Sequence, residues 1–317
     1  MQALYLEDGS ITYLSDYPIP SPTSDQALIR ITCAGICSTD LELVRGYAGF
    51  KGVPGHEFVG MVQESVDEKW IGRRVVGSIN LGCGHCLQCQ AEGPEHCSNR
   101  TVLGIIDHDG AFADFIVLPL KNLYNVPDTL SDREAVFTEP IAAALRIREQ
   151  IILPPSKKAA VIGPGKLGML IGQVLGLDGN EVIMLGRSKN SLNLADSLGL
   201  ETDLVSAVDS DHFDIVVEAT GNEMGLQQAL RIVRPRGTLV LKSTFSGKTT
   251  AELTKIVVSE INVVGSRCGP FEPAIRLLAN KALEVKPLID GEYSLREGLS
   301  AFEYARTPGV RKVLLYP

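Results

Sequence analysis

Basic residues are in short supply in this chain: 30 Lys and Arg stand against 38 Asp and Glu, a formal net charge of −8. No cationic surplus is left to neutralise a phosphate backbone, so nucleic-acid binding is not expected. Long apolar runs are missing as well; no stretch reaches the ~20 residues that a membrane-spanning helix needs. Residues 1–8, MQALYLED, lack a basic segment followed by an apolar one. No secretory signal is read there, and a cytoplasmic location is expected. Also absent are a long linker, a low-complexity tract and an internal repeat. What is present is 317 residues, 44% hydrophobic and 21% charged, an ordinary globular balance with length enough for two domains. Seven cysteines without a signal point to metal or catalytic thiols rather than disulfides.

The chain is organised around residues 158–168, KAAVIGPGKLG. Ala159 to Ile162 reads as a buried parallel strand, and Leu167 to Leu177 as an apolar helix. Between them runs Gly163-x-Gly165-x-x-Gly168. This strand, glycine turn and helix form a dinucleotide-binding pattern. The glycines serve a tight turn, close approach of the backbone to a pyrophosphate, and close helix–strand packing. The helix N-terminus offers free N–H groups to the phosphates. A glycine-rich turn without a ligand is the plainer alternative.

Before this stretch, roughly the first 125 residues read as short strands between Gly and Pro turns, a β-rich domain. Strands are expected over 27–32, 58–66, 73–79 and 112–118. Ser131 and Glu134 form a candidate capping box ahead of a helical segment, 134–152, which Pro140 is expected to split into a loop and a new helix. After Lys158, strands (182–185, 214–218, 237–242, 261–264) alternate with helices (191–199, 224–233, 251–260). That alternation predicts a parallel sheet covered by helices on both faces. The tail, 269–317, carries a helix over 272–280, a segment over 295–305 and a last strand over 310–315, and is expected to pack back on the β-rich domain.

Four cysteines, Cys83, Cys86, Cys89 and Cys97, fall at C-x2-C-x2-C-x7-C in a glycine-rich loop. Four thiolates close a tetrahedral zinc site and leave no open position, which makes it structural. Iron–sulfur spacings such as C-x2-C-x2-C-x3-C differ in the last gap; free thiols are the other alternative. His85 and His96 read as solvated loop residues. A second constellation is dispersed: Cys37-Ser-Thr39-Asp40, His56-Glu57 and Glu139-Pro140. A thiolate, an imidazole and a carboxylate suit a catalytic zinc that keeps one position open. Spacing alone leaves the bland readings open: a small core cysteine, a satisfied turn histidine, a charge at a helix start.

In combination, Gly35-Ile-Cys-Ser-Thr-Asp40, Pro54-Gly-His-Glu-Phe-Val-Gly60, the four-cysteine loop, Glu139-Pro140 and the Gly163 turn resemble the zinc-containing medium-chain dehydrogenases/reductases, in their alcohol, polyol, glucose and threonine dehydrogenase branches. The resemblance covers nearly the whole chain. It implies an α/β protein: a GroES-like β-rich catalytic domain (1–128, with a zinc lobe at about 82–98), an inserted Rossmann domain with a doubly wound parallel sheet (129–267), and a C-terminal segment (268–317) completing the catalytic domain. It implies Cys37 and His56 as catalytic zinc ligands, with Glu57 or Glu139 as the third. Thr39 becomes the hydroxyl that accepts the substrate proton and Asp40 the residue that orients the histidine. Cys83, Cys86, Cys89 and Cys97 become ligands of a second, structural zinc.

This sequence also departs from the family pattern. Ser38 replaces a more usual Gly or Arg. Only eighteen residues separate Cys37 from His56, so the loop around Gly46 to Gly52 is trimmed. No histidine closely follows Asp40, which argues against the proton relay of some alcohol dehydrogenases. Cys33 and Cys268 match no ligand and read as small apolar residues.

The implied activity is zinc-dependent hydride transfer between a nicotinamide and an alcohol, polyol or sugar, or its carbonyl form. The alternatives are an inactive or non-redox nucleotide-binding protein of the same fold, and a zinc-lobe interaction module. Expected cofactor contacts are Gly163, Gly165, Lys166, Leu167, Gly168, Gly186, Arg187, Ser188, Lys189, Thr220 and Arg311. Gly186 stands where NAD-specific enzymes usually place an acid that binds the ribose 2′-OH. With Arg187, Ser188 and Lys189 behind it, the turn suits a 2′-phosphate, so NADP(H) is expected over NAD(H). Solubilising surface charges are the plainer reading of that turn. The family further implies a homodimer or homotetramer joined through the strand at 261–264.

Overall fold

The computed structural model describes residues 1–244 and 249–317, in two compact units. One holds Met1–Glu139, Leu278–Asn280 and Leu288–Pro317; the other holds Pro140–Leu277 and Lys281–Pro287.

The first unit is built on a seven-stranded sheet. Its longest strand, Gln26–Ile36, runs past the expected end at Thr32 because its residues stay buried up to Cys37. Glu57–Ser65 pairs with it antiparallel on one side and Lys312–Tyr316 on the other. The last strand of the chain thus joins the sheet begun by the first third. The registers set Gly35 opposite both Glu57 and Leu314. Ala3–Glu7 and Ser10–Leu14 form a hairpin that the strand readings omitted. Its signal was Asp8-Gly9, a tight-turn dipeptide in which both residues adopt positive φ, 48° and 75°.

The capping box forms: Ser131 and Glu134 bond reciprocally at the start of Asp132–Ala135. The segment is divided as expected: Asp132–Ala135 ends, and a new helix, Thr138–Gln150, begins with Pro140 in its first turn. A proline in the first turn removes an N–H that has no helical partner anyway, so it starts the helix instead of breaking it.

The second unit is a six-stranded parallel sheet. Its order is Glu201–Leu204, Val182–Gly186, Ala159–Ile162, Phe213–Glu218, Val233–Leu241 and Asn262–Gly265. In chain order this is 3-2-1-4-5-6, the doubly wound arrangement, with the order reversing beside Ala159–Ile162. Val161, Val216, Leu226, Leu230 and Leu239 are among the apolar residues buried in it. The strand Glu201–Leu204 was not read from the sequence. It is a half-exposed edge whose polar residues give no apolar run.

The unit borders differ from the expected 128 and 267. Asp132–Ala135 lies against the strands Gln26–Ile36 and Glu57–Ser65, which keeps 129–139 with the first unit. Residues 268–277 stay with the second: an added Cβ on Gly269 would lie 2.0 Å from the Ala142 carbonyl oxygen. Residues 281–287 join it through paired hydrogen bonds between Gln173 and the Glu284 backbone.

Candidate functional site

Cys37 closes the strand Gln26–Ile36 and caps the helix Ser38–Val44. The Cys37 N–H donates to Asp40 Oδ2 at 2.7 Å, which fixes the turn at the strand end. Asp40 Oδ1 lies 3.3 Å from His56 Nδ1, both residues buried. The contact is an ion pair out of line for a hydrogen bond. Burial alone favours a neutral imidazole; Asp40 and Cys37 outweigh it and hold His56 well above the ordinary histidine range. Thr39 Oγ1 lies 3.8 Å from the Cys37 sulfur, half-buried.

Glu57 follows His56 at the start of its strand. Cys37, His56 and Glu57 offer ligand atoms all within 4.8 Å of one another. Glu139 sits half-buried in the first turn of Thr138–Gln150, outside that group. Lys312, which the sequence reading passed over, reaches this cluster and pairs with Glu57, each side chain 1% exposed. Burial opposes the ammonium, but Glu57 and Cys37 together hold Lys312 above the usual lysine range. Its signal in the sequence was a lone lysine before an apolar run, Val313-Leu-Leu315, and that run gave no reason to bury it. The neighbour chosen instead, Arg311, is tied to Asp290 through its N–H and its guanidinium.

The four lobe cysteines converge. Cys97 Sγ lies 3.6 Å from Cys83 Sγ and 3.8 Å from Cys86 Sγ. A tetrahedron of Zn–S bonds near 2.3 Å has an edge of about 3.8 Å, so the spacing fits that ion. The Cys83 N–H, aided by its neighbours, draws the Cys97 thiol down to about 6. Although the Gly84 N–H lowers Cys89, burial and the other three sulfurs push it up to about 12. A cation among the four sulfurs would relieve that crowding. His85 and His96 are exposed.

In the second unit, Gly163 has φ 106° and an added Cβ would meet the Ala219 carbonyl oxygen at 2.8 Å. A Cβ on Gly168 would lie 1.9 Å from the Gly163 oxygen. These two glycines are fixed by packing. Gly165, by contrast, has no neighbour within 4 Å of an added Cβ among the described residues; it is the N-cap of the helix Lys166–Gly176 and, as a glycine, offers no capping side chain. Lys166 and Leu167 form the first turn of that helix, both half-buried. The start of an eleven-residue helix behind such a glycine fits a phosphate. The Thr220 N–H and hydroxyl both donate to buried Glu218 Oε1, so that hydroxyl is spent within the fold.

Gly186 ends the strand Val182–Gly186. A Cβ there would collide with Leu192 and Ser191 at 2.8 Å, so close approach of the next helix demands this glycine whatever the cofactor. Arg187 and Lys189 are exposed, and no hydrogen bond or ion pair engages either among the described residues. Ser188 caps the helix Lys189–Ser197 through its side-chain oxygen.

Comparisons with known proteins identify the family. Residues 23–128 match the alcohol dehydrogenase GroES-like domain family and residues 167–280 the zinc-binding dehydrogenase family. The chain is 29% identical to sorbitol dehydrogenase of Halalkalibacterium halodurans, covering 96% of this chain and 95% of that one. It is 28% identical to D-arabinitol dehydrogenase 1 of Uromyces fabae, over 100% and 97%. Among solved structures, one described as a zinc-binding dehydrogenase from Sinorhizobium meliloti 1021 bound to NADP superposes with a TM-score of 0.90 at 30% identity, covering 100% of this chain and 99% of that one. By fold, motif and likeness along its full length, the chain belongs to the zinc-containing medium-chain dehydrogenases/reductases, oxidoreductases of the alcohol dehydrogenase type.

Proposed function

We propose that this protein transfers a hydride between a nicotinamide cofactor and an alcohol, polyol or sugar-type substrate, in either direction, using a zinc held by its first unit. The observation that carries this reading is the buried convergence of Cys37, His56 and Glu57. One thiolate, one imidazole and one carboxylate match a zinc site that keeps a fourth position open. The zinc would supply Lewis acidity toward the substrate oxygen. Asp40 stands at His56 Nδ1, which leaves Nε2 for the metal and fixes the ring. The half-buried Thr39 hydroxyl, beside Cys37, accepts the proton of the substrate alcohol and passes it toward solvent. Glu57 is assigned as the third ligand because it lies inside the cluster, while Glu139 lies outside it and lends a nearby negative charge.

Cys83, Cys86, Cys89 and Cys97 would hold a second, structural zinc. Both chain ends would make up the catalytic domain, with the nucleotide domain inserted between them. Clustered reduced thiols suit the cytoplasm. NADP(H) is the assigned cofactor: Arg187 and Lys189 have no other partner among the described residues, and the Sinorhizobium relative is described as bound to NADP. The polyol names of two relatives make polyols the first substrates to try.

The test is removal of metal. Loss of both ions to a chelator should abolish the change in NADPH absorbance over an aldehyde and polyol panel, and zinc should restore it. Full turnover by verified metal-free protein would rule this mechanism out.

A further inference from the structure

We propose that Lys312 is a positioning residue of the metal centre: with Gly35 making the room, it holds one oxygen of Glu57 and presents the other to the metal. The proposal rests on the metal-centre reading above. Lys312 and Glu57 lie on strands that flank Gln26–Ile36 on opposite sides. Their side chains meet only by crossing over that central strand, and Gly35 is where they cross. A Cβ on Gly35 would come within 2.7 Å of Glu57 Oε2, 3.3 Å of Lys312 Cδ and 3.4 Å of Val136. Gly35 has no positive φ, so it is there for space rather than for its backbone conformation. Buried Phe137 lies on another side, its ring centre 5.4 Å from Lys312 Nζ.

A buried ion pair of this kind is a poor device for stability, because taking two charges out of water offsets their attraction. Its location suggests another use. Glu57 accepts from Lys312 at Oε2, and a carboxylate oxygen of Glu57 lies within 4.8 Å of ligand atoms of Cys37 and His56. A ligating carboxylate held by a second partner binds metal in a fixed orientation. The lysine also offsets one of the negative charges that Cys37, Glu57 and Glu139 bring together. Its own repulsion of the metal is small, since Glu57 already neutralises it in direct contact.

The experiment compares wild type, Lys312→Met, Gly35→Ala and Cys37→Ser, each full-length. Metal per chain, affinity by chelator competition and the visible spectrum of cobalt-loaded protein are measured. Lys312→Met should weaken the Cys37-dependent site about 10- to 100-fold, change its cobalt spectrum and leave the four-cysteine site filled. Gly35→Ala, which keeps both charges but displaces the Glu57 carboxylate, should alter the spectrum in the same sense. A Lys312→Met protein with wild-type affinity and spectrum overturns the proposal alone. If that variant does not fold, an unchanged Gly35→Ala spectrum overturns it. If wild type and Cys37→Ser hold the same number of ions, the metal-centre reading fails and the proposal with it.

Discussion

At the scale of single residues, the cofactor turn is where chemistry and packing must be told apart. Arg187 is exposed and free of partners among the described residues, as a phosphate-binding guanidinium should be before its ligand arrives. Arg187→Ala should raise the Michaelis constant for NADP about ten- to hundredfold, the worth of one charge-assisted bond, with little change for NAD. Initial rates with both cofactors decide it; equal constants in wild type and variant would contradict NADP preference. Gly186 tells the opposite story. Placing the ribose-binding acid there looks like the obvious route to an NAD enzyme, but any side chain would strike Leu192 and Ser191. Gly186→Asp should therefore destabilise the protein by about 1–3 kcal/mol through overpacking instead of switching it cleanly. A variant that melts like wild type and prefers NAD would refute this. The glycine was legible as a missing acid, but its packing reason was not, because the helix that comes against it is placed by tertiary structure.

Among the elements, the zinc lobe depends most on its ligands. Residues 82–98 contain only two short helical pieces, Leu87–Ala91 and Pro94–His96, and Cys97 is the sole fully buried side chain among them. So small an apolar core gives the segment little hold of its own, and the proposed structural zinc would supply it. Cys89→Ser should cost one zinc per chain and open the lobe to proteolysis ahead of the rest of the protein. Metal analysis with timed digestion would show it; two tightly held ions in the variant would argue against a structural site. The convergence of the four cysteines was readable, because all four lie within one short stretch. The break at Pro140 was readable too, because a proline disfavours a helix interior and suits a first turn; only the bounds of the new helix, Thr138–Gln150, were left open.

At the scale of the whole molecule, the exposed apolar surface of the second unit has a consequence for assembly. The strand Asn262–Gly265 is a sheet edge, and Val263 on it is 39% exposed. On the preceding helix, Leu253–Val258, Leu253, Val257 and Val258 are exposed by two thirds or more. An open edge beside apolar side chains is a template for pairing with a second copy. Light scattering should give a homodimer or a multiple of it at micromolar concentration, and Val258→Asp should shift it toward monomer. A wild type that stays monomeric would dismiss this assembly.

Local signals were enough for whatever the chain keeps close together. The Gly163 turn, the four lobe cysteines, the capping box at Ser131 and the alternation of strands and helices are each written within a few residues, and each appears in the structure. The grouping of Cys37, His56 and Glu57 was expected only by resemblance. Cys37 and His56 are neighbours because two antiparallel strands put them there, and no spacing rule links them. Lys312 could not be found at all. Its role depends on a strand register joining the end of the chain to Gly35 and Glu57, and on an empty Cβ position between two charges. Register is set by the pairing of strands far apart in sequence, so only the folded sheet decides which side chains face one another across it.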